Sequence, residues 1–208
     1  MQCSNNIKQI VLAFHNYHDT YDALPPLYTV DENGKPLHSW RVLILPFIDQ
    51  AALYQQIRLD EPWDSEFNKQ FHNVVIPTYF CPDNTLVNPA GKLNCTYSVI
   101  AGEAFAPAKK AGERNGKHFA AIQDGTSNTL AIVEVKQPFC WMDPTADVDL
   151  ATLVKGINAA DGRVGSFHEK GINAGMLDGS VHFISQTVDK AILRALGTIA
   201  GGESAALP

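Results

Sequence analysis

No apolar run in the 208 residues approaches the roughly 18 that a membrane-spanning helix needs. The most apolar stretch, Trp40 to Ile48, is interrupted by Arg41 and Pro46. A basic start followed by an apolar signal core is missing too. Basic residues are sparse: 16 Lys and Arg stand against 22 Asp and Glu, a net charge of -6. That argues against a nucleic-acid-binding role, which needs concentrated positive charge. Cysteine is sparse as well. Cys3, Cys81, Cys95 and Cys140 form no Cys-x-x-Cys pair, so a zinc ribbon or thioredoxin-type site has no support. Four scattered cysteines leave three disulfide connectivities open, or four free thiols. Internal repeats, a Gly-x-Ser-x-Gly elbow and a phosphate-cradling glycine loop are also lacking.

What is present begins with an amphipathic helix. Ile7, Ile10, Val11, Phe14, Tyr17 and Tyr21 recur at spacings of three and four, predicting a helix over 4–21 with Ser4 as N-cap and Pro25-Pro26 beyond its end. Residues 29–39 read as a turn-rich loop with Asn33-Gly34 at its tip, and 40–57 as a kinked helix. Val74–Cys81, Thr96–Ala101 and Thr129–Val135 read as strands. Residues 102–118 read as a surface loop and Gln137–Gly165 as a long irregular excursion. Near the C-terminus, Asp178-Gly179 between two apolar runs is a hairpin signature. A two-residue turn would pair Met176 with Val181 and Ala174 with Phe183, placing Ile172, Ala174, Met176, Val181 and Phe183 on one face. A short helix follows, marked by Val188, Ile192, Leu193 and Leu196. The elements do not alternate as βαβ. The fold class expected is therefore α+β, with the long helix on an antiparallel sheet.

Candidate chemistry is thin. His168 and Asp178 invite a metal reading, but the six residues from Ile172 to Asp178 alone would span about 20 Å as a strand. One ion needs its ligands within about 5 Å of one another. Asp178 and Gly179 are expected to make the turn, and His168 to anchor the start of the strand. The loop Asp124-Gly-Thr-Ser-Asn128-Thr129, with Asp178, supplies calcium candidates (Asp124, Asn128 and Asp178), although Asx and Ser/Thr turns explain it without a ligand. His15 and His18 lie three apart on the first helix but have no third ligand nearby in sequence. The loop carboxylates Glu103, Glu113, Asp143, Asp147, Asp149 and Asp161 nominate no catalytic pair. No catalytic or cofactor-binding residue is assigned.

Taken in order, several motifs make the chain resemble a bacterial family of pseudopilin-like proteins of unknown biochemical function. They are Met1-Gln-Cys-Ser-Asn-Asn-Ile-Lys-Gln-Ile10, His15-Asn-Tyr-His-Asp19, Leu24-Pro-Pro26, Ser39-Trp40, Leu45-Pro46, Phe80-Cys-Pro-Asp83, Asp124 to Thr129, and Trp141 with Pro144. The His168-x9-Asp178-Gly179 motif, which includes Asn173, then Phe183-Ile-Ser185 and Gly201-Gly-Glu203 complete the set. Members of that family carry a prepilin-type segment: a basic leader, a cleavage and methylation site, and an apolar helix of about 20 residues.

The resemblance implies one extracytoplasmic domain over 1–208. Residues 1–24 would be the C-terminal half of a pilin-type helix and 25–208 the head. It also implies an inner-membrane anchor preceding this segment in the full-length protein and a location in the periplasm or at the cell surface. The anchor is expected to be either trimmed away or naturally lost here, the abrupt start of the 4–21 helix favouring trimming. Membrane contact would run only through that anchor. The role implied is non-enzymatic, in secretion or surface assembly, with like subunits or other pilin-like proteins as partners. Cys3 and Cys81 lie in family-like motifs, so the resemblance pairs them, and Cys95 with Cys140 follows. Two rival readings stand beside it. One is a glycan- or calcium-binding module using Trp40, Trp63, Trp141 and the Asp124 loop. The other is a hydrolase using loop carboxylates or a histidine-bound metal.

Overall fold

The first helix, α1 (Gln2–Tyr21), has Met1 as its N-cap with no side-chain hydrogen bond, three residues ahead of the Ser4 N-cap expected from sequence. Its buried face is Cys3, Asn6, Ile7, Ile10, Val11, Ala13, Phe14 and Tyr17. The expected stripe therefore packs inward as far as Tyr17, whereas Tyr21 is exposed. Asp22 ends the helix in the left-handed conformation (φ 55°), returning its N–H to the His18 carbonyl, before Pro25 can intervene. This computed structural model describes residues 1–88 and 91–202; Glu203 of the Gly-Gly-Glu motif lies outside them.

Residues 29–39 form a hairpin rather than a loop: β1 (Tyr28–Val30) pairs antiparallel with β2 (Pro36–Ser39), with Gly34 at φ 78° in the connection. The expected kinked helix over 40–57 is instead three short pieces. These are α2 (Trp40–Leu43), a 3-10 turn at Leu45–Phe47 containing Pro46, and α3 (Ala51–Tyr54). Pro46 withholds an N–H and Asp49 turns left-handed (φ 60°), so no single helix can run through. The segment Val74–Cys81 is not a strand. Pro77 starts a 3-10 turn, and side chains satisfy the backbone there: Asn6 Nδ2 donates to the Pro77 and Phe80 carbonyls, and Thr96 Oγ1 accepts the Cys81 N–H.

The central sheet has order β3-β5-β7-β8, all antiparallel. Its strands are β3 (Cys95–Ser98), β5 (Leu130–Phe139), β7 (Gly171–Met176) and β8 (Val181–Ser185). Two short strands, β4 (Ile100–Ala101) and β6 (Val148–Asp149), pair in parallel beside it, followed by α4 (Leu150–Leu153). Helix α1 lies on β7, β5 and β8. Gly175 permits that approach: a Cβ there would stand 2.6 Å from Ile7 Cγ2. Helix α5 (Lys190–Gly197), capped by Asp189, is the last regular element among the described residues and follows the hairpin much as expected. The 102–118 segment lacks regular structure, but it places Phe105 in the core against Phe14, with centroids 4.9 Å apart. The supposed excursion over 137–165 likewise buries Trp141, Met142, Val148 and Leu153.

The C-terminal hairpin forms with its register one residue from expectation. Gly175 pairs with Val181, Ala174 with His182 and Ile172 with Ile184. The connection has three residues, Leu177-Asp178-Gly179. Met176 N–H donates to the Ser180 carbonyl, Gly179 N–H to Met176, and only Gly179 has a positive φ (90°). This is a turn with a glycine bulge, not the two-residue type I′ turn. Leu177 is drawn into the core, its N–H bonded to the Thr129 carbonyl, so it belongs to the turn rather than the strand. A slip of one residue exchanges faces. Ile184 is consequently buried with Ile172, Ala174 and Met176, whereas Phe183 is 54 % exposed.

Candidate functional site

Among the described residues, a four-membered cluster of reactive side chains lies where the first turn of α1 meets the sheet. Cys3, on that turn, is disulfide-bonded to Cys81, with Cα atoms 5.0 Å apart. Two residues after Cys81, the Asp83 carboxylate stands 3.4 Å from Nδ1 of His168. The other ring nitrogen of His168, Nε2, is 3.0 Å from Glu134 Oε1 and 3.5 Å from Cys81 Sγ. The second oxygen of Glu134 accepts the Asn173 N–H at 2.7 Å. Glu134 is buried within β5, and burial, its largest influence, raises its carboxyl above the ordinary range against the opposing pull of Asn173 and His168. Ser166 positions the histidine by accepting the His168 N–H and donating to the Gly171 carbonyl.

His168 thus anchors the start of β7, as its place in the sequence suggested, and the residue to which it anchors is Glu134. Asn173 takes part through its backbone. Asp178 and Gly179 are remote in function from His168: the Asp178 carboxylate accepts the Ser180 N–H and hydroxyl inside the turn. Sequence reasoning missed Glu134, although the signal was visible, since it is the one charge in the apolar run Leu130–Val135. Cys3, Cys81, Asp83 and His168 bring ligand atoms within 4.8 Å of one another. Both sulfurs are committed to the disulfide and offer no thiolate to a metal. In this state the cluster is a covalent and hydrogen-bonded clasp joining α1, the 81–83 loop, β5 and β7.

The second expected disulfide does not form; Cys95 and Cys140 are free thiols. Cys95 is buried in β3 opposite Phe139, and Cys140 lies just beyond the end of β5. Burial pushes the Cys140 thiol up to about 11 and raises that of Cys95 as well.

The remaining candidates have separate local partners. The Asp124 carboxylate accepts the Gly201 and Gly202 amides, and Asn128 Nδ2 donates to the Asp124 carbonyl. The Asp178 turn adjoins this loop through its own N–H to the Thr126 carbonyl, but its carboxylate is turned to Ser180. Trp40 and Trp141 are buried, with no free ring face for a sugar, and Trp63 stacks on His72 with centroids 4.9 Å apart. Among the loop carboxylates, Asp149 caps α4, Asp143 closes a turn on Thr145, Glu113 accepts the Lys109 and Lys110 amides, and Asp161 faces Lys155. Glu103 sits in the turn after β4.

Asp147 is the unforeseen member of that set. It is buried against Arg41, with Oδ1 2.6 Å from the Arg41 guanidinium, and also accepts Trp40 Nε1, Val99 N–H and Ser98 Oγ. The Arg41 that breaks the apolar stretch is therefore a core ion pair. A groove of about 810 Å³ lies between the β1–β2 connection, residues 57–60 and residues 111–114, and His168 does not line it.

No helix among the described residues is long and apolar enough to cross a membrane. Comparison with curated proteins gives no match, and neither does comparison with solved structures. A family profile described as a protein of unknown function (DUF1559) matches residues 1–141 and 137–191, nearly the whole length. With its helix-on-sheet fold and its clasped first turn, the chain belongs to this DUF1559 family.

Proposed function

We propose that the chain is the extracytoplasmic, non-enzymatic head of a pseudopilin-like protein that acts in secretion or surface assembly. The observation that carries this reading is the clasp: the first turn of α1 is tied to the head covalently through Cys3–Cys81, beside the Asp83–His168–Glu134 cluster. A helix that transmits force or position from an anchor into a head benefits from such a tie at its leading end. The bond also suits an oxidising compartment. The carboxylates, histidines and tryptophans described above are engaged in turns, caps and core packing, which favours a structural role over a hydrolase or a glycan-binding module.

The test is made in cells on the full-length protein. Leu12, 58 % exposed on α1, is replaced by cysteine and the envelope is treated with a bifunctional thiol cross-linker. Membrane fractionation with cross-linked species containing like subunits or other pilin-like proteins is the expected result. A freely diffusing monomer would overturn the reading.

A further inference from the structure

The last turn of α1 supplies what the sequence withheld from His18. We propose that His18, Asp22 and His118 form a binding site for a first-row divalent cation of the zinc class. Each contributes one ligand atom, and the three atoms lie within 4.8 Å of one another. Tetrahedral zinc, with bonds near 2.0–2.1 Å, holds its ligands about 3.3 Å apart, so small side-chain rotations bring the three into place. Two imidazoles with one carboxylate select zinc-type ions over calcium or magnesium, which favour all-oxygen sites.

The site is built by the backbone rather than by side-chain chance. His18 and Asp22 are one turn apart, and the Asp22 N–H donates to the His18 carbonyl at 2.7 Å, fixing their relation. His118 arrives from a segment distant in sequence, held beside the helix end by two backbone hydrogen bonds: Leu24 N–H to the Lys117 carbonyl and Gly116 N–H to the Leu24 carbonyl. Phe119 then packs its ring on His18, with centroids 4.5 Å apart, restricting the imidazole. His15, the obvious sequence partner of His18, is not part of this group of ligand atoms; its Nε2 meets the Leu177 carbonyl at 2.8 Å instead. Asp22 and His118 are exposed, which leaves a fourth coordination position for water or for a side chain of another molecule. A bound ion would fasten the 102–118 segment to the end of α1. That is the opposite end of the helix from the disulfide.

The experiment is titration of tag-free, disulfide-intact protein with Zn²⁺ alone, followed by calorimetry and by the thermal midpoint. One ion per chain is expected, with a raised midpoint. His18→Ala and His118→Ala, both at the surface end of the site, should each weaken binding by at least about tenfold. His182→Ala, an exposed histidine on β8, and Cys140→Ser should leave binding unchanged. Absence of saturable binding, or zinc affinity that survives in His118→Ala, overturns the proposal. Far-ultraviolet circular dichroism of the variants separates lost ligation from lost fold.

Discussion

At the scale of single residues, burial of charge dominates. Arg41 has no exposed side-chain surface and Asp147 only 2 %. Removing one partner leaves the other charged and unpaired in the core, where the penalty exceeds that of most point changes. Asp147→Ala is therefore expected to lose about 3–5 kcal/mol in chemical denaturation. A loss below about 1 kcal/mol, the range of an exposed pair, would show that the pair is solvated.

His38 makes a second residue-scale prediction. Its Nε2 donates to the Glu61 carbonyl at 2.8 Å, leaving Nδ1 buried without a partner. Burial, the largest influence, lowers its pKa from the ordinary 6.5 despite that hydrogen bond. The unfolded chain thus takes up a proton that the folded chain resists. The contribution to stability is complete above pH 6.5 and is lost as pH falls toward the folded value. Urea midpoints measured between pH 7.5 and 5.5 should fall in the native sequence and fall less steeply in His38→Gln; equal slopes would remove the assignment.

At the scale of elements, the contact between α1 and the sheet depends on a missing side chain. Gly175→Ala would drive a methyl into Ile7 Cγ2 and to within 3.0 Å of Val11 Cγ2. Overpacking of this kind is expected to cost about 1–3 kcal/mol with an unchanged denaturant slope. A neutral result would mean that the helix slides freely on β7. Gly175 also shows how element reading and packing diverge. The helix was legible from its three-four spacing, and the two strands of the last hairpin from their apolar runs around Asp178-Gly179. The register was not, because Asp-Gly serves both a two-residue turn and a three-residue turn with a bulge. The choice between them came from Leu177, whose amide bonds to Thr129, a residue the local pattern could not see. Val74–Cys81 failed for a related reason. Its β-branched and aromatic composition suits a strand, yet Pro77 withholds a donor, and Asn6 and Thr96 take over the backbone groups.

At the scale of the whole molecule, the Cys3–Cys81 bond joins residues 78 apart in sequence. By loop-closure entropy it contributes about 4 kcal/mol through the unfolded state. Thiol titration of unreduced, denatured protein should give two thiols, rising to four with reductant. The reduced protein should unfold at markedly lower denaturant. Four thiols without reductant would exclude the bond, and none would restore the Cys95–Cys140 pairing.

The α+β order, the inward face of α1 and the helix after the last hairpin were written in local spacing, because a helix or strand imposes its period on the side chains that must be buried. The Asp83–His168–Glu134 cluster, the Arg41–Asp147 pair and the meeting of His18 with His118 were not. Each joins residues separated by tens of positions, and their partners are selected by which strand lies beside which and by the register between them. Glu134 and Arg41 stood in apolar runs as visible irregularities. Only the folded chain supplied the opposite charge or imidazole that makes such burial tolerable.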